Sequence, residues 1–424
     1  MILDMGLLAE LKANDKKGLF TSNDTYINYS TGILPLDYAN GFWQEIKYPD
    51  GHIEHEPIIG IMGGTFISII GGTGTGKSTM ADQIGFNIIK NFEDGLMAHI
   101  DAERTALRQR IAQVTGADIK DERISIKKEN TSVEDVLEMF GKICEAKEAG
   151  GKLYKYEAPN HIYNGDTFNV YIPTVLIIDS VVSFNSKEYS VEDLGSNMDG
   201  ARSAKVLTRF VNNCLDRMQH YNITIIMISH IRGKVEVNPY ASTPPGLMML
   251  KPGESVPGGM NLQYMCQNFF RINMLKSNAY TIEDNGFTGF KAGVQIAKSK
   301  TNCVGTTIPV AFNSAYGFDP IYSLYEYASG IGLIQGKNPY LYFQGLDTMK
   351  FNRKDFNRKF MNEKDFRDAV FAILKPTFES LLGSKEATDE DRVRYGDLFP
   401  DQEEHMIGTG EGLKKNPVKV KKAK

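Results

Sequence analysis

The stretch Gly71–Thr79, GGTGTGKST, follows the apolar run FISII (66–70) and precedes MADQIGFNIIKNF (80–92). Gly71, Gly76, Lys77 and Ser78 satisfy the pattern G-x-x-x-x-G-K-[ST], in which a strand turns through glycines into a helix. Glycines let the backbone N–H groups of Gly71, Gly72, Thr73, Gly74, Thr75, Gly76 and Thr79 converge on phosphate oxygens, and Lys77 neutralises the β- and γ-phosphates. The Ser78 hydroxyl is placed for Mg²⁺, and the helix N-terminus adds partial positive charge. The reading is a nucleotide site for ATP with Mg²⁺ inside a P-loop α/β fold.

Other runs extend that fold. LMAHID (96–101), TVLIIDS (174–180), ITIIMISH (223–230) and GVQIAKSK (293–300) read as buried strands. TSVEDVLEMFGKICEA (131–146) and AKVLTRFVNNCLDRM (204–218) read as helices between them. Continuous apolar strands alternating with helices predict a mainly parallel twisted sheet covered on both faces. Asp179 closes TVLIID at the carboxyl end of a buried strand, where a carboxylate holds the metal. AHIDAER supplies Asp101 and Glu103 at another strand exit. By reach from the strand end Glu103 is the better candidate to orient an attacking water, and a salt-bridged loop carboxylate is the alternative.

The chain has 424 residues and a formal charge of −4, with 24% charged and 42% hydrophobic residues. That balance gives no global attraction to nucleic acid, so polyanion binding would need local basic loops. Cys144, Cys214, Cys266 and Cys303 form no CxxC pair, which predicts free thiols in a reducing compartment. No apolar run reaches membrane-spanning length and the start lacks a basic flank, so the expected location is cytoplasmic. His52 and His55 form an HxxH without further ligands nearby, a poor metal site.

Two segments interrupt the alternation. Residues 151–173, with Tyr154, Tyr156 and Tyr163, predict a surface hairpin inserted before a central strand. Residues 231–259 are long, rich in Pro and Gly, and follow a strand directly, the profile of a functional loop. Beyond Gly330 the sequence becomes aromatic and then helical, with Phe366, Val370, Ile373 and Leu374 at helical spacing. An acidic stretch and a tail with six lysines in its last eleven residues follow.

STGILPLD (30–37), GGTGTGKST, HIDAE, LIIDS, MISH and the GG at Gly258–Gly259 stand in the order found in RecA-type strand-exchange recombinases. MISH ends in histidine where bacterial RecA has glutamine. AKSKTN, YGFDPIYSLYEYASGIGLI and FRDAV give the chain a closer likeness to the UvsX type of tailed bacteriophages. The resemblance covers residues 28–335 and, more weakly, continues to about 380. It implies a RecA-like P-loop ATPase core over 30–335 and a protomer-packing element over 1–29. A small α-rich C-terminal region over 336–383 and a charged tail over 384–424 complete the expected layout.

The resemblance also implies roles. Glu103 falls on the catalytic glutamate, and His230 on the residue that contacts the γ-phosphate and passes its state to an adjacent DNA-binding loop. Residues 184–198 and 231–259 match the two DNA-binding loops, with Arg232, Lys234, Gly258 and Gly259 in the second. The first departs from expectation in carrying Glu188, Glu192 and Asp193. Arg202 and Arg209, seven apart on one predicted helix, would clamp a DNA backbone or simply face solvent. Lys298 and Lys300 match lysines that reach a neighbouring protomer's ATP. The implied activity is DNA-dependent ATP hydrolysis coupled to homologous pairing and strand exchange in a bacterial host's cytoplasm. Implied partners are single-stranded DNA, homologous duplex, further copies in a helical filament, a loading mediator and a single-strand-binding protein. A hexameric RecA-core helicase or other ring ATPase is the alternative. The STGILPLD lead-in and the long Pro/Gly loop count against it.

Overall fold

The computed structural model describes residues 26–128, 132–160, 166–180, 199–233, 250, 254–256, 264–280, 286–302 and 304–383. All belong to a compact unit that extends to Gly383. Its centre is a nine-stranded sheet. The strands are β1 (Phe66–Gly71), β2 (Leu96–Asp101), β3 (Ile124–Lys127), β4 (Thr174–Asp179) and β5 (Ile223–His230), followed by β6 (Asn268–Tyr280), β7 (Gly289–Ser299), β8 (Thr307–Asn313) and β9 (Gly317–Asp319). Their spatial order is β9-β8-β7-β6-β1-β5-β4-β2-β3. The pairings from β6 to β3 are parallel. Those from β6 to β9 are antiparallel.

The sheet is therefore mostly parallel, as the apolar runs predict, with an antiparallel wing. GVQIAKSK belongs to that wing. Only eight residues separate Tyr280 from Gly289, too few for the crossover that a parallel neighbour requires.

Every residue of β1 and of β4 is buried. Their side chains alternate between two apolar layers, as the period of a strand dictates. Ile67, Ile69, Ile177, Ile226 and Ile228 enter one layer with Met80, Ile84 and Ile88 of helix α2 (Lys77–Ile89). Phe66, Ile70, Leu176 and Ile178 enter the other. There they meet Phe140 and Cys144 of α4 (Val133–Gly150) and Phe210 and Cys214 of α5 (Asp199–Tyr221). Helix α4 begins with a capping box between Ser132 and Asp135. Cys144, Cys214 and Cys266 are free and buried, while Cys303 lies outside the described residues.

Lys155–Pro159 and Thr167–Tyr171 form the predicted antiparallel hairpin directly before β4. It is fastened at its base by Lys147, whose ammonium donates to the carbonyls of Ile172 (2.7 Å) and Tyr221 (2.8 Å). His52 lies in a turn between two short strands, stacked on Tyr48 and paired with Asp50. Among the described residues no cluster of three or more His, Cys, Asp or Glu is placed to hold a metal. No described helix is long and apolar enough to cross a membrane.

The STGILPLD segment folds around one carboxylate. Asp37, in α1 (Leu34–Asn40), accepts from the Ser30 hydroxyl (2.5 Å) and from the Thr31 amide (2.7 Å) and hydroxyl (2.5 Å). Burial pushes its carboxyl up to about 6, against those hydrogen bonds. On α8 (Lys364–Leu381) the buried face is Phe366, Val370, Leu374 and Phe378, while Ile373 is only half-buried. Phe378 stacks on Tyr38 of α1 at 5.2 Å and meets Tyr327 of α6 (Pro320–Gly330) at 5.4 Å. Truncating it removes contacts to both. Phe378→Ala should therefore lower the unfolding free energy by about 3–5 kcal/mol, read from the urea midpoint.

Candidate functional site

The parallel strands end at one edge, with β1 and β5 running two residues beyond β4 and β2. Gly71 is level with His230, Ile228 with Asp179, and Asp179 with Asp101. In open α/β sheets this edge is where ligands settle. Here it opens into a cleft of about 300 Å³ lined by Gly74, Gly76, Lys77, Ser78, Thr79, Glu103, His230 and Phe312.

The glycine-rich turn has steric reasons for its composition. Gly76 caps α2 at φ 88°, in the left-handed region, and a Cβ there would lie 3.0 Å from the Phe318 ring. A Cβ on Gly71 would lie 2.6 Å from the Ile272 carbonyl. The turn therefore needs glycine at 71 and 76, whereas a Cβ at Gly72 would meet only an ordinary contact, 3.8 Å from the Thr75 methyl.

Lys77 is 5% exposed and donates to the Gly72 carbonyl at 2.7 Å. Burial lowers its pKa, and the charges of Asp179 and Glu103 oppose that shift. Its ammonium also lies 3.4 Å from His230 Nδ1. A lysine donating to Nδ1 places the imidazole proton on Nε2, which faces Glu103 Oε1 at 3.3 Å. Gly72, Lys77, His230 and Glu103 thus form one polar chain across the cleft.

Asp179 is 4% exposed, and its carboxylate accepts from the Ser78 hydroxyl at 2.5 Å. Burial raises the Asp179 pKa, and the Ser78 hydrogen bond counters it. One hydroxyl and one carboxylate beside the glycine-rich turn are a hard-oxygen donor set. That fits Mg²⁺, which is held by one or two carboxylates plus substrate phosphates and keeps its waters.

Glu103 is presented by a short loop with its own anchors. The Ala102 amide donates to the Asp179 carbonyl at 2.7 Å, and the Ala106 amide to Asp101 Oδ2 at 2.6 Å. Between them Arg104 takes φ 58°, a left-handed conformation uncommon for a residue with a side chain. Asp101 is therefore an organiser of the loop, and Glu103 the carboxylate in the cleft.

Several sequence-predicted residues converge here: the turn Gly71–Thr79, Asp179, Glu103 and His230. Lys298 and Lys300 do not line this cleft. Lys298 is level with Phe269 on β6, and Phe269 with Ser68 on β1, toward the opposite edge of the sheet from Gly71. The Lys298 ammonium donates to the Tyr264 carbonyl at 2.5 Å. Arg209 is exposed on α5, opposite the buried Phe210 and Cys214, and Arg202 belongs to the same helix. Arg232 lies in a two-residue ladder, level with Ser255. Lys234, Gly258, Gly259 and the segment 184–198 lie outside the described residues, as does most of 231–259.

Sequence reasoning missed Phe312, which comes from β8 and stacks on Phe290 at 4.5 Å. Nothing local marks it, because its place follows from the antiparallel wing folding beside β1. It also missed the buried bond between His99 and Asp82 (2.8 Å). The signal there was a histidine and an aspartate in otherwise apolar segments.

No protein-family model matches the chain, and no curated protein matches it.

The Asp101 anchor can be tested without assuming any reaction. A charge-assisted hydrogen bond contributes roughly 1.5–3 kcal/mol. Asp101→Ala should then speed amide hydrogen exchange at Ala106 by about ten- to a hundredfold. Exchange at residues within β1 should stay unchanged.

Proposed function

We propose that this chain is an ATP-dependent homologous DNA recombinase of the RecA type, nearest to the phage UvsX type. The observation that supports it best is the convergence of Lys77, Ser78, Asp179, Glu103 and His230, from four separate segments, on one cleft at the end of the parallel strands. Such a set suits phosphoryl transfer, whose catalysis is mainly positioning and charge stabilisation. The choice of recombinase over other ATPases rests on the ordered motifs of the sequence. His230 also runs, through Ile231, straight into the long Pro/Gly segment.

In this reading Lys77 exchanges the Gly72 carbonyl for the β- and γ-phosphates, and the turn's amides hold the same oxygens. Mg²⁺ bound by Ser78 and Asp179 would neutralise charge on the β- and γ-phosphates. Glu103 orients the attacking water. His230 holds Glu103 while the cleft is free of phosphate; when it turns toward phosphate, Glu103 is released to its task. Lys298 and Lys300 lie outside their own chain's cleft and would serve a neighbouring copy's nucleotide, Lys298 by exchanging the Tyr264 carbonyl for phosphate. Hydrolysis then requires a filament on single-stranded DNA. Arg202, Arg209, Arg232 and Lys234 are the candidates for the DNA backbone.

Two measurements test this. Protein incubated with ATP, Mg²⁺ and a labelled single strand should form joint molecules with a homologous supercoiled duplex and none with an unrelated one. DNA-stimulated hydrolysis without joints would favour the ring-helicase reading. In the second, Glu103→Gln should reduce ATP turnover by about a hundredfold or more while nucleotide binding persists. Unchanged turnover would remove Glu103 from the mechanism.

A further inference from the structure

Helix α2 carries two polar groups one turn apart on the face it turns to the sheet, Ser78 and Asp82. Each is bonded to a different strand. Ser78 donates to Asp179 on β4, and Asp82 accepts from His99 Nδ1 on β2 at 2.8 Å. Asp82 and His99 are 5% and 1% exposed, between the helix and the sheet. His99 Nε2 and Asp101 Oδ1, also buried, have no hydrogen-bond partner among the described residues.

A buried polar pair of this kind, charged or not, is a poor source of stability. Desolvation opposes it, and apolar residues of similar volume often serve as well or better. What it adds is direction. Apolar contacts between α2 and β2 tolerate sliding, because the hydrophobic effect is non-directional, whereas a 2.8 Å hydrogen bond fixes the spacing. Burial works against a charged His99, yet Asp82, with Asp179 and Asp101 behind it, raises its pKa overall.

The two elements it joins carry the two halves of the cleft. Lys77 and Ser78 open α2. Strand β2 ends in Asp101, whose carboxylate holds the loop that presents Glu103. We propose that Asp82 and His99 are positioning residues that fix the spacing of Glu103 from Lys77 and Ser78, and so set turnover rather than nucleotide affinity. The proposal rests on the ATP-hydrolysis reading above.

The test compares wild type, Asp82→Asn, Asp82→Ala and the double apolar variant D82L/H99F in the full chain. Three quantities are read: DNA-stimulated kcat, Kd for a fluorescent ATP analogue with Mg²⁺, and the thermal unfolding midpoint. D82L/H99F should keep its midpoint and bind the analogue within about threefold of wild type, while kcat falls by about ten- to a hundredfold, the scale of a small misplacement of reacting groups. Asp82→Asn retains an oxygen that accepts from Nδ1–H, so its kcat should stay within about threefold of wild type, whereas Asp82→Ala should follow the double variant. Wild-type kcat in D82L/H99F overturns the proposal alone, as does a loss of binding that matches the loss of kcat. If the double variant does not fold, equal kcat in Asp82→Ala and Asp82→Asn overturns it. A wild type that hydrolyses no ATP overturns the hydrolysis reading and this proposal together.

Discussion

The cleft depends on the register of four parallel strands. Gly71, His230, Asp179 and Asp101 meet at one edge because β5 lies between β1 and β4, and β2 beyond β4, with every pairing in step. A slip of one residue in any pairing would turn that strand's side chains to the opposite face. His230 or Asp179 would then point toward α4 and α5 instead of α2. The register is held by the two apolar layers, since each misplaced strand would exchange isoleucines between them. The chemistry at the edge is thus secured by the packing in the middle of the sheet.

Legibility in the sequence follows from the same physics. Strands buried on both faces read as unbroken apolar runs, so β1, β2, β4 and β5 could be found from residues alone. The glycine-rich turn could be found too, because backbone geometry demands glycine at particular places. Strand β6 could not, because Asn268, Arg271, Asn273 and Lys276 interrupt it. Arg271 is buried there with a two-pronged ion pair to Glu254 and a hydrogen bond to Asn273. The helical period of α8 was legible, but its true face runs on to Phe378, two residues past Pro376, rather than through Ile373.

The candidate site divides along a similar line. Residues that close a strand or open a helix, such as Asp179, His230 and Ser78, announce their place. Glu103 followed from its reach beyond β2. Phe312 and Asp82 owe their positions to which elements become neighbours, and a linear pattern carries no such information. Lys298 and Lys300 show the converse. They stand at the end of β7, and the sheet's order carries that end away from the cleft of their own chain.

The chain of contacts from Gly72 through Lys77 and His230 to Glu103 gives the cleft a set of internal partners. Under the proposed function, a phosphate that drew Lys77 and His230 to itself would break those contacts, and their free energy would be subtracted from the observed affinity. The same exchange would free Glu103 from His230. Under the proposed function, occupancy of the turn and release of the carboxylate would be coupled through His230, the residue that touches both Lys77 and Glu103.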